Sequence, residues 1–181
     1  VLLDWTETFQ QWMAARGLQQ QPGAQGYYCI HDQFDIPESQ AKKYTKLFNE
    51  SAAIGFLTPF RDAVPWVKRL NQQHGYRFTV ITSLSEDPYA VQLRKQNLQN
   101  HFGDVFDSIL CLETGSNKDE ALKPYRDSGL WWVEDKPENA LAGTRIGLKS
   151  ILLEHDHNVS YNHALIVRAR DWQDIYQTIT G

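Results

Sequence analysis

Trp131-Trp132-Val133-Glu134-Asp135-Lys136-Pro137-Glu138-Asn139 decides how this chain is read. An apolar run that ends in two acids and then Lys-Pro reads as a buried strand delivering carboxylates to its C-terminal tip. In open α/β sheets, ligands sit at those tips. Adjacent acids after a hydrophobic strand are costly to bury unless a cation or hydrogen bonds satisfy them. A hard metal site fits, most simply Mg²⁺, which prefers carboxylate oxygens and keeps much of its water. The plainer alternative is a strand that ends in solvent, where acids are free.

Upstream of this stretch, Phe106 to Leu112 reads as a strand and Asn117 to Tyr125 as a short helix. Arg77 to Thr82 is a β-branched strand, followed by a helix over Asp87 to Asn100 with Val91, Leu93 and Leu98 apolar. A further helix spans Arg61 to Gln73, with Ala63, Val64, Val67 and Leu70 inward and Gly75 closing it. Downstream come a helix over Asn139 to Ile146, a strand over Ser150 to Leu153, and a helix capped by Asp171 over Trp172 to Ile179. From residue 61 onward, helix and strand alternate. That implies an α/β fold, a three-layer Rossmann-like parallel sheet with helices on both faces. Right-handed crossovers put every strand's C-terminal end on one edge. Thr82, the segment after Leu112, Glu134-Asp135 and the segment after Leu153 should converge there.

Residues 5–58 do not alternate. Trp5, Phe9, Trp12 and Met13 have near-helical spacing, with Gly17 as a stop. Gln19 to Gly26 reads as a loop, and Tyr27 to Ile36 is ambiguous. Pro37-Glu38-Ser39 opens a helix to about Asn49, with Ala41, Tyr44, Leu47 and Phe48 on one face. The expected organisation is an α/β core of residues 1–4 and 59–181, with a small helical insert over 5–58.

The 181 residues, 41% of them hydrophobic, suit one domain with a real core. A net charge of −4 argues against a broad nucleic-acid surface. Cys29 and Cys111 are too few for a disulfide scaffold, which favours a reducing compartment. No apolar run approaches membrane-spanning length, and no basic-then-apolar leader is present. The expectation is a cytoplasmic protein with no membrane or nucleic-acid-polymer partner; oligomeric state is not legible. The chain opens on Val1-Leu2-Leu3-Asp4, without Met and inside an apolar run, as if cut within an element.

Thr82 with Ser83, Lys118, and Glu134-Asp135 fall on one predicted edge. A hydroxyl, an ammonium and a carboxylate pair around one spot can bind a phosphoryl group and its Mg²⁺. In this order and spacing the chain resembles the haloacid dehalogenase (HAD) superfamily of phosphohydrolases. Phe78-Thr79-Val80-Ile81-Thr82-Ser83 is similar to the second motif, Gly115-Ser116-Asn117-Lys118-Asp119 to the third, and Val133 to Asn139 to the fourth. Leu57 to Ala63 is similar to the family's entry from cap back to core, and the helical insert to its cap. More narrowly, the sequence looks like small phage or bacterial members near the 5′-nucleotidase branch. The resemblance implies Thr82 as the phosphate-binding hydroxyl, Ser83 beside it, Lys118 as the charge-stabilising lysine, Asp135 as chief metal ligand and Glu134 next to it. Val1-Leu2-Leu3-Asp4 matches only the tail of the first motif, Asp-x-Asp-Gly-(Thr/Val)-Leu-x-Asp. The nucleophile would then precede Val1. In a second register, Asp4-Trp5-Thr6 is itself the motif and Asp4 the nucleophile.

The implied activity is Mg²⁺-dependent hydrolysis of a small phosphomonoester, a nucleotide among the candidates, through an aspartyl-phosphate. Residues 1–181 alone would turn over little. Simpler readings stand beside each site. Thr82 also reads as a strand-end residue, Lys118 as a surface lysine with Lys123 as competitor, and Asn139 as a helix cap. His155, His157 and His163 read as exposed loop histidines rather than a zinc site. Cys111 reads as a core thiol. Trp5, Trp12, Tyr27, Tyr28 and Phe34 read as cap packing rather than a base-stacking surface. A non-catalytic HAD-like binding protein is the alternative, and a phosphorelay receiver a third.

Overall fold

A computed structural model describes residues 1–181. The insert holds α1 (Trp5–Ala14), α2 (Ile30–Phe34) and α3 (Glu38–Asn49). Phe9 is its centre, stacked on Trp5 at 4.5 Å and met edge-on by Phe34 and Phe48. The ambiguous stretch Tyr27 to Ile36 thus contains a short helix. Leu47, expected inward, is 47% exposed. The face that packs runs through Ala41, Phe48 and Asn49 instead.

After the insert come α4 (Ala63–His74), β1 (Phe78–Ser83), α5 (Pro88–Phe102), β2 (Phe106–Leu112), α6 (Asp119–Leu122), β3 (Trp131–Glu134), α7 (Pro137–Arg145), β4 (Lys149–Leu153), β5 (Ile166–Ala169) and α8 (Trp172–Thr180). The α/β alternation and the parallel pairing match the expected class. β5 was not foreseen. Its four residues carry Arg168 in the middle, so no clean apolar run marks it.

The sheet is in two pieces. β1 pairs in parallel with β2. β3, β4 and β5 pair in parallel in that order. No ladder joins β1 to β3. Residues 1–4 join neither piece; Leu3 makes an isolated antiparallel bridge to Pro59, where the chain leaves the insert.

β4 shows what a strand inside this fold looks like. Ile151 and Leu153 pack into the large cluster with Trp172 and Ile175 of α8, whereas Leu152 packs against Ala140 of α7. Helices therefore cover both faces. α7 lies unusually close to β3: a methyl built on Gly143 would sit 2.4 Å from Trp132 Cδ1. Only a residue without Cβ allows that approach. No helix is long and apolar enough to cross a membrane.

Candidate active site

β3 carries Glu134 to its C-terminal end, and Asp135 follows at the start of the turn into α7. Glu134 is 2% exposed. Lys118, at the start of α6, donates from Nζ to Glu134 Oε1. Asn139 Nδ2 donates to the same oxygen at 3.3 Å, and the Asp135 N–H donates to Oε2 at 3.2 Å. Asn139 is held in turn by Trp132, whose Nε1 donates to the Asn139 carbonyl at 3.0 Å. Burial pushes the Glu134 carboxyl above its ordinary range, and the Lys118 charge opposes that shift. A buried acid with one lysine and two further donors is a satisfied group, not a stray one.

Asp135 is differently placed. Its Oδ2 lies 3.3 Å from the Val1 ammonium and 3.6 Å from His155 Nε2. Its carbonyl accepts from Asn158 Nδ2 at 2.7 Å and His157 Nε2 at 3.1 Å. Burial works to raise its carboxyl, but the ammonium, then His155 and Lys118, hold it well below the usual range. His155 stacks on Phe60 at 4.6 Å. Burial lowers its imidazole to about 4, so it is neutral at pH 7. Its Nε2 is buried without a hydrogen-bond partner.

This corrects the reading of His155 and His157 as exposed loop histidines. The turn at Asp156–Asn158 folds the segment after β4 back over the tip of β3. The sequence marked the histidines but left them in an exposed loop, and it did not mark Asn158, because the fold-back depends on that turn. His163 lies apart, with its Nδ1 accepting from the Leu165 N–H at 3.2 Å.

Thr82 and Ser83 end β1 and line the same cavity as Lys118, Glu134 and Asp135, a cleft of about 1430 Å³. Ser83 Oγ donates to the Ser116 carbonyl at 2.7 Å, tying β1's end to the loop that presents Lys118. No side-chain hydrogen bond engages Thr82. Lys123 instead pairs with Glu120 at 2.6 Å on the surface. Asp4 lines the cleft from the insert side, where its Oδ1 caps α1 through the Glu7 N–H at 2.9 Å. Cys111 is half-buried, and burial raises its thiol, consistent with a packed group.

The insert closes the cleft through polar contacts that the sequence did not mark. Asn49 donates from Nδ2 to the Leu84 carbonyl at 2.9 Å and to Thr114 Oγ1 at 3.3 Å, while its Oδ1 accepts from Trp5 Nε1 at 2.8 Å. Trp5, Trp12 and Phe34 pack within the insert. Tyr27 and Tyr28 do not; they are 56% and 53% exposed. Tyr28 lies against the His157 ring at 5.0 Å and under Lys136. Desolvation, then Asp135 and Glu134, push its phenol up, so it stays protonated.

A hard cation fits this donor set. Asp135 offers a carboxylate at the tip of β3 that no Lys or Arg side chain pairs with, 3.6 Å from His155 Nε2. Glu134 is committed to Lys118 and Asn139, so it supports the site electrostatically more than it offers a free ligand oxygen.

No protein-family model matches the chain. Its sequence is 28% identical over 94 residues to an uncharacterized 32.4 kDa protein from the gp30–rIII intergenic region of enterobacteria phage T4. That match covers 52% of this chain and 33% of the phage protein, so the chain spans about a third of its relative. Among solved structures it is similar to an L-2-haloacid dehalogenase, with a TM-score of 0.57 and 14% identity. The likeness covers 99% of this chain and 95% of that one. The fold is therefore HAD-like.

Proposed function

We propose that this chain is the body of a HAD-type phosphohydrolase acting on a small phosphomonoester with Mg²⁺. The observation that carries the reading is one cleft lined by a free strand-end hydroxyl, a half-buried lysine and an acid pair. Thr82 and the backbone N–H groups of the turn after Ser83 suit the phosphate oxygens. Lys118 places its ammonium where charge builds up in transfer, and Glu134 fixes that ammonium. Asp135 would hold Mg²⁺, which would supply charge neutralisation of the phosphoryl group when bound. The insert, latched by Asn49, would exclude water over the substrate.

The attacking carboxylate would come from a segment ahead of Val1 carrying Asp-x-Asp-Gly, because Asp4 is engaged in capping α1. Aryl phosphate hydrolysis by the chain extended with such a segment tests this. We expect Mg²⁺-dependent turnover, and a loss of roughly 10²–10³-fold in Asp135→Asn, the scale of one lost electrostatic stabiliser. A protein that instead releases halide from a 2-haloacid and no phosphate would overturn the substrate class. A nucleotide as the natural substrate is the narrower form of the proposal, with Tyr27 and Tyr28 as the exposed rings able to stack a base.

A further inference from the structure

The insert carries a second set of donors that the phosphoryl chemistry leaves unused. Cys29, His31 and Asp32 fall at the start of α2, with Cys29 as the residue that caps the helix. The Cys29 carbonyl accepts from the N–H of Asp32 at 3.2 Å and of Gln33 at 3.1 Å, which closes the first turn. A cap residue and the residue three positions on turn their side chains toward each other in such a turn. The cap side chain ordinarily takes a backbone N–H there, but the Cys29 thiol takes none. A thiol is a weak acceptor, so by residue type Cys29 is a poor cap.

Packing holds the turn from its other side. Gln33 and Phe34 are buried, and Ile30 packs against the large cluster. Gln33 Nε2 donates to the Tyr27 carbonyl at 2.7 Å, and the Gln33 carbonyl accepts from the Gln21 N–H at 2.7 Å. The three donors are left on the outward side, Cys29 and Asp32 exposed and His31 partly so. One ligand atom from each lies within 4.8 Å of the other two. His31 Nε2 and Asp32 Oδ1 are already 3.4 Å apart. Two ligands of a tetrahedral ion with bonds of about 2.1 Å are separated by about 3.4 Å, so one edge of that polyhedron is preformed. As an ion pair alone, a contact this exposed adds little, and it leaves the thiol beside it unexplained.

We propose that Cys29, His31 and Asp32 form a Zn²⁺ site on the insert, with water in the fourth position. Thiolate, imidazole and carboxylate together suit a borderline-soft transition ion, whereas Mg²⁺ takes oxygen ligands and does not compete for sulfur. Binding releases the thiol proton to solvent as the bond from Cys29 Sγ to the ion replaces S–H. Glu38 is near His31 but is paired with Lys42 at 2.7 Å, which leaves the fourth position to water. Cys29 and His31 line the main cleft, so the ion sits at its rim. Tyr28, the preceding residue, lies against His157 at 5.0 Å, and His157 Nε2 reaches the Asp135 carbonyl at 3.1 Å. The ion therefore braces the part of the insert that meets the tip of β3. None of its donors belongs to the acid pair or its lysine, so the site stands whether or not the chain is a hydrolase.

The test uses the reduced 181-residue chain, stripped of metal, with Zn²⁺ and Co²⁺ as probes. Alkylation by iodoacetamide, mapped by mass spectrometry, reads the exposed Cys29 apart from the half-buried Cys111. We expect stoichiometric Zn²⁺ to slow Cys29 by about tenfold or more, since the free thiolate is the species that reacts, and to leave Cys111 unchanged. Co²⁺ should give a thiolate-to-metal charge-transfer band that Cys29→Ser removes. His31→Ala and Asp32→Asn should each weaken Zn²⁺ binding by about tenfold or more, at least the scale lost with an outer-shell partner. All three side chains are at least partly exposed, so circular dichroism should show the fold of each variant intact. Excess Mg²⁺ and Asp135→Asn should leave the protection of Cys29 in place. No protection of Cys29, protection that survives both His31→Ala and Asp32→Asn, or a cobalt band that survives Cys29→Ser overturns the proposal. Loss of protection in Asp135→Asn puts the ion at the tip of β3 and also overturns it, as does one ion shared between two chains in analytical ultracentrifugation.

Discussion

β4 and the pair β1/β3 are built from similar residues and end in different states. β4 reads Lys-Ser-Ile-Leu-Leu, and Ile151, Leu152 and Leu153 are fully buried. It has a strand on each side and helices on each face. β1 reads Phe-Thr-Val-Ile-Thr-Ser, yet only Ile81 is buried; in β3 only Glu134 is. Each of these has helices on its faces but one neighbour only. The difference is therefore not composition. A strand's burial here is set by whether its edge is covered, and the apolar letters of β1 and β3 are those of strands meant for the middle of a sheet.

The largest effect should separate the closed strand from the open one. Leu152→Ala removes a fully buried side chain wedged against Ala140 and should cost about 2–5 kcal/mol. Val80→Ala, on the half-open edge, should cost well under half of that, since part of its surface is already wet. Urea unfolding of both variants measures the contrast, and equal costs would erase it. Next comes acid sensitivity at the tip beyond β4. In the folded chain His155 takes its proton near pH 4, against 6.5 for the free side chain. Between those values the unfolded chain binds more protons, so stability should fall as pH falls through that window, by up to about 3 kcal/mol. His155→Gln in chelator-treated buffer should flatten that slope. The smallest effect concerns α7, which covers both pieces of this comparison. Gly143→Ala places a methyl against Trp132 and should cost about 1–3 kcal/mol. If β3 is the looser strand, Trp132 can shift into the gap and the loss will fall at the low end, read as a lowered melting temperature.

Much of this was legible beforehand. The alternation of periods from residue 61 onward located four strands and their helices, and Pro37, Gly75 and Asp171 marked helix ends correctly. Thr82, Lys118, Glu134 and Asp135 stood out because each sits at an element's end on one expected edge, and the fold does line one cavity with all four. What escaped has physical reasons. β5 is short and interrupted by Arg168, whose guanidinium is spent on the carbonyls of Asn158 and Tyr161 and on Glu154. Arg94 and Asn97 are polar letters on the buried face of α5, where hydropathy points the wrong way. His155 joins the site through a turn that brings the chain back on itself, and sequence distance hides that. The break between β1 and β3 could not be read at all, because strand patterns specify faces and say nothing of who stands alongside.

Asn49 carries a consequence for how the insert is held. One amide holds the Leu84 carbonyl, Thr114 and Trp5 together, joining the insert to the loops after β1 and β2. Lifting the insert would break the two that reach Leu84 and Thr114 together, at roughly 2 kcal/mol if each is worth about 1. Removing that amide would loosen the insert where it meets the loops over the cleft and leave its apolar seam with the core as the remaining hold.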